Sequence, residues 1–223
     1  MPTTTPEASI GPHISPTQLG CGLRALAARW QGTEQAGDWA SVALLSSCGV
    51  EYLRIIRRLE SGVEAAAAFP EPDIYDEEGN EVDDEALPHH NPNSDSTLTI
   101  TYDIIHSPSY RVPVLYLSCT TPANQPISSP ATLYRTLVPP LMKSQIQAIG
   151  VMGAVSATEH PITGLPCYFV HPCKTADAMR PLCAGGEVDA EGYVLRWLGL
   201  VGGGVGLNVP AALAAGVAGM GKS

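Results

Sequence analysis

The chain has no Cys-x-x-Cys pair, no Asn-x-Ser/Thr acceptor and no apolar leader segment. Without a paired or regularly spaced cysteine framework, the six cysteines are expected to be reduced thiols, which fits a cytosolic setting. The first fifteen residues are polar and Pro-rich, so no secretory signal is expected. Clustered Lys and Arg are also missing, which excludes the basic footprint that nucleic-acid binding requires. The net charge of −10 has a local origin. Ten of the 22 acidic residues fall between Glu71 and Asp95, a segment with no Lys or Arg, and the rest of the chain balances at 12 against 12. The run without charge from Trp197 to Gly221 is long enough to cross a bilayer, but eight of its residues are Gly and Pro210 interrupts it. No stable membrane span is expected there.

What is present suggests one domain. A length of 223 residues supports a single core, and 20 Pro with 22 Gly imply much loop. Residues 1–14 read as a disordered arm, 15–210 as one domain, and 211–223 as a tail. Leu19, Leu23, Leu26 and Trp30 recur at helical steps after Ser15-Pro16-Thr17-Gln18, where Ser15 is the expected N-cap and Gln18 can close a capping box. Gly49 to Leu59 reads as a first strand. The acidic stretch at about 69–96 cannot bury enough apolar surface to offset its ordering entropy and reads as a disordered insertion. Within it, His89-His90 lacks the fixed partner set that a metal site needs, and no cofactor is expected.

Thr97 to Ile105 alternates Leu98, Ile100, Tyr102 and Ile104 against Thr97, Thr99, Thr101 and Asp103, which is the period of a half-buried strand. A turn at His106-Ser107-Pro108-Ser109 leads to a partner strand from Tyr110 to Cys119. Ala131 to Gly150 holds broken helical stretches, Cys167 to Val170 a short strand, and Tyr193 to Val201 a helix stopped at Gly202-Gly203-Gly204. The layout is α+β on an antiparallel sheet. That Gly cluster follows a helix and lacks a Gly-Lys-Ser/Thr ending, so it is no phosphate loop.

The chemistry concentrates at Cys167-Tyr-Phe-Val-His171-Pro172-Cys173-Lys174-Thr175. A strand that stops at Pro172 leaves His171 and Cys173 at an exposed sheet end, and in extended geometry the two would face one side. A neighbouring imidazole favours thiolate, the nucleophilic form. The other five cysteines read as small buried apolar residues. His-x-Cys alone is also compatible with a packing role.

Glu159-His160-Pro161-x-x-Gly164 followed by His171-Pro172-Cys173-Lys174-Thr175 resembles the signature of the autophagy-related conjugating enzymes, which carry their thioester-forming cysteine in a His-Pro-Cys triplet. Tyr110-Arg-Val-Pro-Val-Leu-Tyr116, the stretch Leu195-Arg-Trp-Leu-Gly-Leu-Val-Gly202, and Val205-Gly-Leu-Asn-Val-Pro210 fit the family branch that joins two proteins better than the branch that acts on a lipid. The resemblance covers roughly Thr97 to Pro210. It implies a ubiquitin-conjugating-enzyme-like fold, with an N-terminal helix, a four-stranded antiparallel sheet and C-terminal helices.

The implied reaction is acyl transfer. Cys173 would accept autophagy-related protein twelve as a thioester from the activating enzyme, autophagy-related protein seven, and pass it to a lysine of autophagy-related protein five. The implied setting is cytoplasmic, with peripheral contact at autophagosome-forming membranes left open. Both steps pass through an oxyanion, whose donors are worth about 3–4 kcal/mol. Ordinary ubiquitin-conjugating enzymes supply an Asn shortly before their cysteine, and no Asn lies near Cys173 in sequence. Tyr110, His171 and the backbone N–H groups after Cys173 are the candidate donors. Tyr110 can equally be a packing residue, and His171 can serve by bonding to backbone to fix the turn. A hydrolytic cysteine protease and a non-catalytic adaptor of the same fold are the rival readings.

Overall fold

Leu98, Ile100, Tyr102 and Ile104 are fully buried, and the strand that carries them lies in the middle of the sheet. The computed structural model describes residues 9–33, 37–60, 97–127, 129–137, 155–184 and 186–215. The acidic insertion expected at about 69–96 lies outside them.

Six strands form one antiparallel sheet: β1 (Trp39–Ser47), β2 (Val50–Glu60), β3 (Thr97–Ser107), β4 (Val112–Thr120), β5 (Val155–Glu159) and β6 (Pro166–Val170), in the order β1-β2-β3-β4-β6-β5. The α+β class stands, but the expected four strands become six. The two additional strands are β1 and β5, so the strand expected from Gly49 to Leu59 is the second in the chain and not the first. Cys48 and Gly49 both take positive φ, 51° and 75°, so β1 and β2 join through a two-residue turn of the kind that matches strand twist. Pro113 is tolerated in β4 because β6 pairs only with Tyr116 and Leu117, which leaves Pro113 a strand neighbour on one side.

The helices cover one face of the sheet. Helix α1 (Pro16–Gln31) begins at the expected Ser15 cap, with both capping-box bonds present. Helix α2 spans Pro130–Leu137, and α3 (Thr175–Cys183) directly follows a 3₁₀ turn at Pro172–Lys174. Helix α4 (Ala190–Val201) starts three residues before the expected Tyr193, because Asp189 caps it by accepting the Gly192 N–H at 2.7 Å. Leu23, Leu26, Val194 and Leu198 are wholly buried against the apolar side of the sheet, each worth roughly 1.5–3 kcal/mol relative to exposure. At Gly22, α1 comes so close to α4 that an added Cβ would stand 2.3 Å from the Ala190 carbonyl oxygen.

The Gly-rich segment after α4 works through backbone approach. Gly202–Val205 winds into a 3₁₀ turn, and the Val205 carbonyl accepts the Tyr102 hydroxyl at 2.8 Å. The buried Arg57 guanidinium donates to the Gly206 carbonyl and pairs with Asp38. A short helix, α5 (Ala211–Ala214), buries Leu213, so part of the expected tail packs on the body.

Residues 9–14 depart from the expected disordered arm. Ile10 and Ile14 are buried. Ile10 N–H donates to the Val188 carbonyl at 3.0 Å, and Ile14 N–H to the Arg111 carbonyl at 2.9 Å. His106 Nε2 bonds the Ile14 carbonyl at 2.9 Å, and the Tyr193 hydroxyl donates to the Pro12 carbonyl at 3.0 Å. This strap ties the β3–β4 turn to the start of α4.

Candidate active site

The register of β4 and β6 positions the cysteine. Tyr116 pairs with Phe169 and Leu117 with Tyr168. Continued antiparallel, that alignment carries the residues after Val170 toward the Tyr110 end of β4. Asn124, in the turn after β4, lies beyond its opposite end.

The extended geometry expected for His171 and Cys173 ends at His171. His171 is extended (φ −64°, ψ 126°), but Pro172 starts the 3₁₀ turn and Cys173 sits within it. A proline suits the first position of such a turn because its φ is already set and its missing N–H has no partner to lose. His171 is the N-cap, and its Nδ1 accepts the Cys173 N–H at 3.2 Å. With Nδ1 accepting, the ring proton is assigned to Nε2. Pro172 is buried while Cys173 is exposed, so the turn is anchored at one residue and presents the next.

Tyr110 lies in the β3–β4 turn, 41% exposed, just before Arg111 at φ 54°. Its ring meets His171 edge-on, with centroids 5.6 Å apart at 78°. Tyr110, His171 and Cys173 are therefore brought into one cluster. No side chain caps the start of α3, whose first-turn N–H groups follow Cys173 closely in the chain.

The other thiols divide by burial. Burial pushes the Cys119 and Cys167 thiols up to about 11 and raises Cys183 as well, which keeps them protonated near neutrality. Cys21 is half-buried. Cys48, expected to be buried, is exposed in the β1–β2 turn, because a two-residue hairpin turn points away from the core.

A second constellation escaped the sequence reading. Ala43, Arg54, Asp103, Tyr116, Phe169 and Ser156 pair in turn across all six strands, forming one row on the sheet face opposite the helices. Asp103, on the polar side of its strand's alternation, is nonetheless buried. It accepts two Arg54 hydrogen bonds, at 2.8 and 2.7 Å. His160 also packs here. Its Nδ1 accepts the N–H groups of Ile162 and Thr163 at 3.3 and 3.2 Å. Its Nε2 stands 3.0 Å from Asp103 Oδ2, near enough for attraction but off the line of a directed hydrogen bond. The available signal was the motif Glu159-His160-Pro161-x-x-Gly164. Here it is a turn closed by mutual backbone bonds between His160 and Gly164 or Leu165, with Gly164 at φ 69°.

A helix–sheet–helix body with a solvent-facing cysteine on the turn after a sheet strand defines a ubiquitin-conjugating-enzyme-like α+β protein. The model of the autophagocytosis-associated protein active-site domain matches residues 23–212, and the chain belongs to that family. Among curated relatives, the ubiquitin-like-conjugating enzyme ATG10 of Gibberella zeae is 43% identical over 116 residues, 52% of this chain and 48% of the relative. The protein of that name from Dictyostelium discoideum is 31% identical over 119 residues, 49% of this chain and 51% of its own. The Homo sapiens protein is 32% identical over 111 residues, 49% of each chain. The match thus spans about half the length of these curated relatives. No helix among the described residues is long and apolar enough to cross a membrane.

Proposed function

We propose that this protein is a ubiquitin-like-conjugating enzyme of autophagy with Cys173 as its acyl carrier. The observation that carries the reading is an exposed thiol on a short turn, held by His171 and flanked by Tyr110. Family membership and the names of the relatives support it.

In the first step the Cys173 sulfur attacks the C-terminal glycine carbonyl of autophagy-related protein twelve, held as a thioester on autophagy-related protein seven. A new carbon–sulfur bond forms at Cys173, the old one breaks, and the departing thiolate recovers a proton. In the second step a lysine amine of autophagy-related protein five attacks the same carbonyl. The bond to Cys173 breaks, the amine gives up a proton, and an isopeptide bond remains. His171 sets the turn through its bond to the Cys173 N–H. Tyr110, through its hydroxyl, and the first-turn N–H groups of α3 are the donors proposed for the oxyanion. Cys173 lies in the open, so an extended glycine tail needs no lid to move. The same reading puts the protein in the cytoplasm, meeting membranes only peripherally.

The test is incubation of the full chain with activating enzyme, ATP and the ubiquitin-like protein. A reductant-sensitive adduct is expected on Cys173, and a reductant-resistant oxyester on Cys173→Ser. An adduct elsewhere, or peptide hydrolysis without ATP, refutes the assignment. Absence of any adduct or hydrolysis leaves an adaptor as the function.

A further inference from the structure

We propose that His160 is a positioning residue for Cys173, acting through a continuous line of packed rings on the open face of the sheet. The inference rests on the reading of Cys173 as acyl carrier. The line starts where His160 lies edge-on to both Tyr52 (6.4 Å) and Tyr116 (5.5 Å). Tyr116 stacks on Phe169 at 6.0 Å, Phe169 meets His171 at 5.7 Å, and His171 meets Tyr110 at 5.6 Å. Each separation falls within the roughly 4.5–7 Å span of favourable ring pairs.

The two ends differ in freedom. His160 is 7% exposed and fixed by its own turn through two backbone N–H groups, with Asp103 beside it. Asp103 is held in turn by Arg54, whose guanidinium also lies over the Tyr52 ring at 5.8 Å. At the other end, His171 is half-exposed and follows the last residue of β6. Among the described residues its ring packs with those of Phe169 and Tyr110, and Tyr110 is itself exposed. The orientation that lets Nδ1 accept the Cys173 N–H is therefore set from the Phe169 side. Phe169 is in turn backed by Tyr116, and Tyr116 by the buried His160. Removing the His160 ring lets Tyr116 and Phe169 relax and frees His171 to rotate off the turn. The geometry at Cys173 then loosens although no residue of its own turn has changed.

His160→Asn tests this in the full-length chain, because the Asn carbonyl can still accept the Ile162 and Thr163 N–H groups while the ring is gone. Phe169→Leu breaks the line one step nearer the cysteine and leaves His160 untouched. Two readouts apply to variants that keep the parent circular dichroism spectrum. Long-range nitrogen–proton spectra should show His171 as a single Nε2–H tautomer in the parent and a tautomer mixture in both variants. In loading from the activating enzyme, kcat should fall about tenfold with KM within about twofold, since misplacement of a reacting group acts on the chemical step. The double variant should lose no more than the worse single one. An unchanged His171 tautomer in His160→Asn overturns the proposal, as does a loss confined to KM or strict additivity of the two changes. If the parent chain accepts no acyl group, the functional reading falls, and the tautomer measurement alone decides the inference.

Discussion

Breaking the Arg54–Asp103 pair should cost different amounts depending on which partner is removed. The Asp103 side chain is 5% exposed and the Arg54 side chain 31%, so the two charges are desolvated unequally. The bidentate bonds at 2.8 and 2.7 Å hold the Arg54 guanidinium above its usual pKa, against the desolvation that would lower it. Arg54→Met leaves the buried Asp103 carboxylate with the His160 ring as its remaining polar neighbour, close to the situation in which losing a partner costs about 3–5 kcal/mol. Asp103→Asn leaves a guanidinium that can turn toward water and still meet one carbonyl oxygen, which reduces the cost to about 1–2 kcal/mol. The double variant Arg54→Met/Asp103→Asn should be more stable than the sum implies, with a coupling of at least about 1.5 kcal/mol. Urea unfolding followed by circular dichroism measures all three, provided the denaturant slope stays constant. A larger loss for Asp103→Asn than for Arg54→Met, or additivity within about 0.5 kcal/mol, would refute the reasoning.

Three further outcomes are expected. Cys48 adopts φ 51° at the first position of the β1–β2 turn, where Asn is the preferred neighbour of Gly, so Cys48→Asn should raise the thermal midpoint, with a gain of roughly 0.5–1 kcal/mol. Gly22→Ala places a methyl group 2.3 Å from the Ala190 oxygen and should destabilise by about 1–3 kcal/mol, read as a lower urea midpoint at unchanged slope. Burial raises the Cys119 and Cys167 thiols to about 11, whereas an unfolded thiol ionises near ~8.5. Above the unfolded value the open chain releases protons that the folded one keeps. The contribution of these thiols should therefore be constant below about pH 8 and fall from there toward pH 9.5, and the fall should be smaller in Cys119→Ala. Haloacetamide at pH 8 should accordingly label Cys173 and Cys48 well before Cys119 or Cys167.

The elements legible in the sequence were those whose pattern is local. Helix α1 carries its own capping box and a repeating apolar stripe. Strand β3 alternates from Thr97 to Tyr102, β4 is a largely apolar run following a marked turn, and β6 is a short apolar run ended by Pro172. Strand β5, Val155-Ser-Ala-Thr-Glu159, is made of small and polar residues at a sheet edge, so no burial pattern marks it. Most of β1 is similarly irregular in burial. Helix α3 hid behind Pro181, which lies inside it at a position where proline ordinarily marks a helix end. At the site, the His171–Cys173 pairing was visible as a dipeptide spacing, whereas Tyr110 was singled out only through family resemblance. Its contact with His171 depends on a cross-strand register that no short window contains. The burial of Asp103 and His160 was hidden for the same reason. Each looks like a surface residue until four strands are aligned.

The strap at Ser9–Ile14 bears on how shortened versions of this protein should be made. A chain cut at Ser15 would keep the complete first helix and would look like a sensible boundary. It would nevertheless strip the partners from the Arg111 carbonyl, the His106 ring and the Tyr193 hydroxyl, and uncover the sites filled by Ile10 and Ile14. Because Arg111 adjoins Tyr110, such trimming would disturb the proposed acyl-carrying corner from behind while leaving every residue of that corner in place. Weak turnover from a trimmed protein would then report the missing strap and not the competence of the thiol.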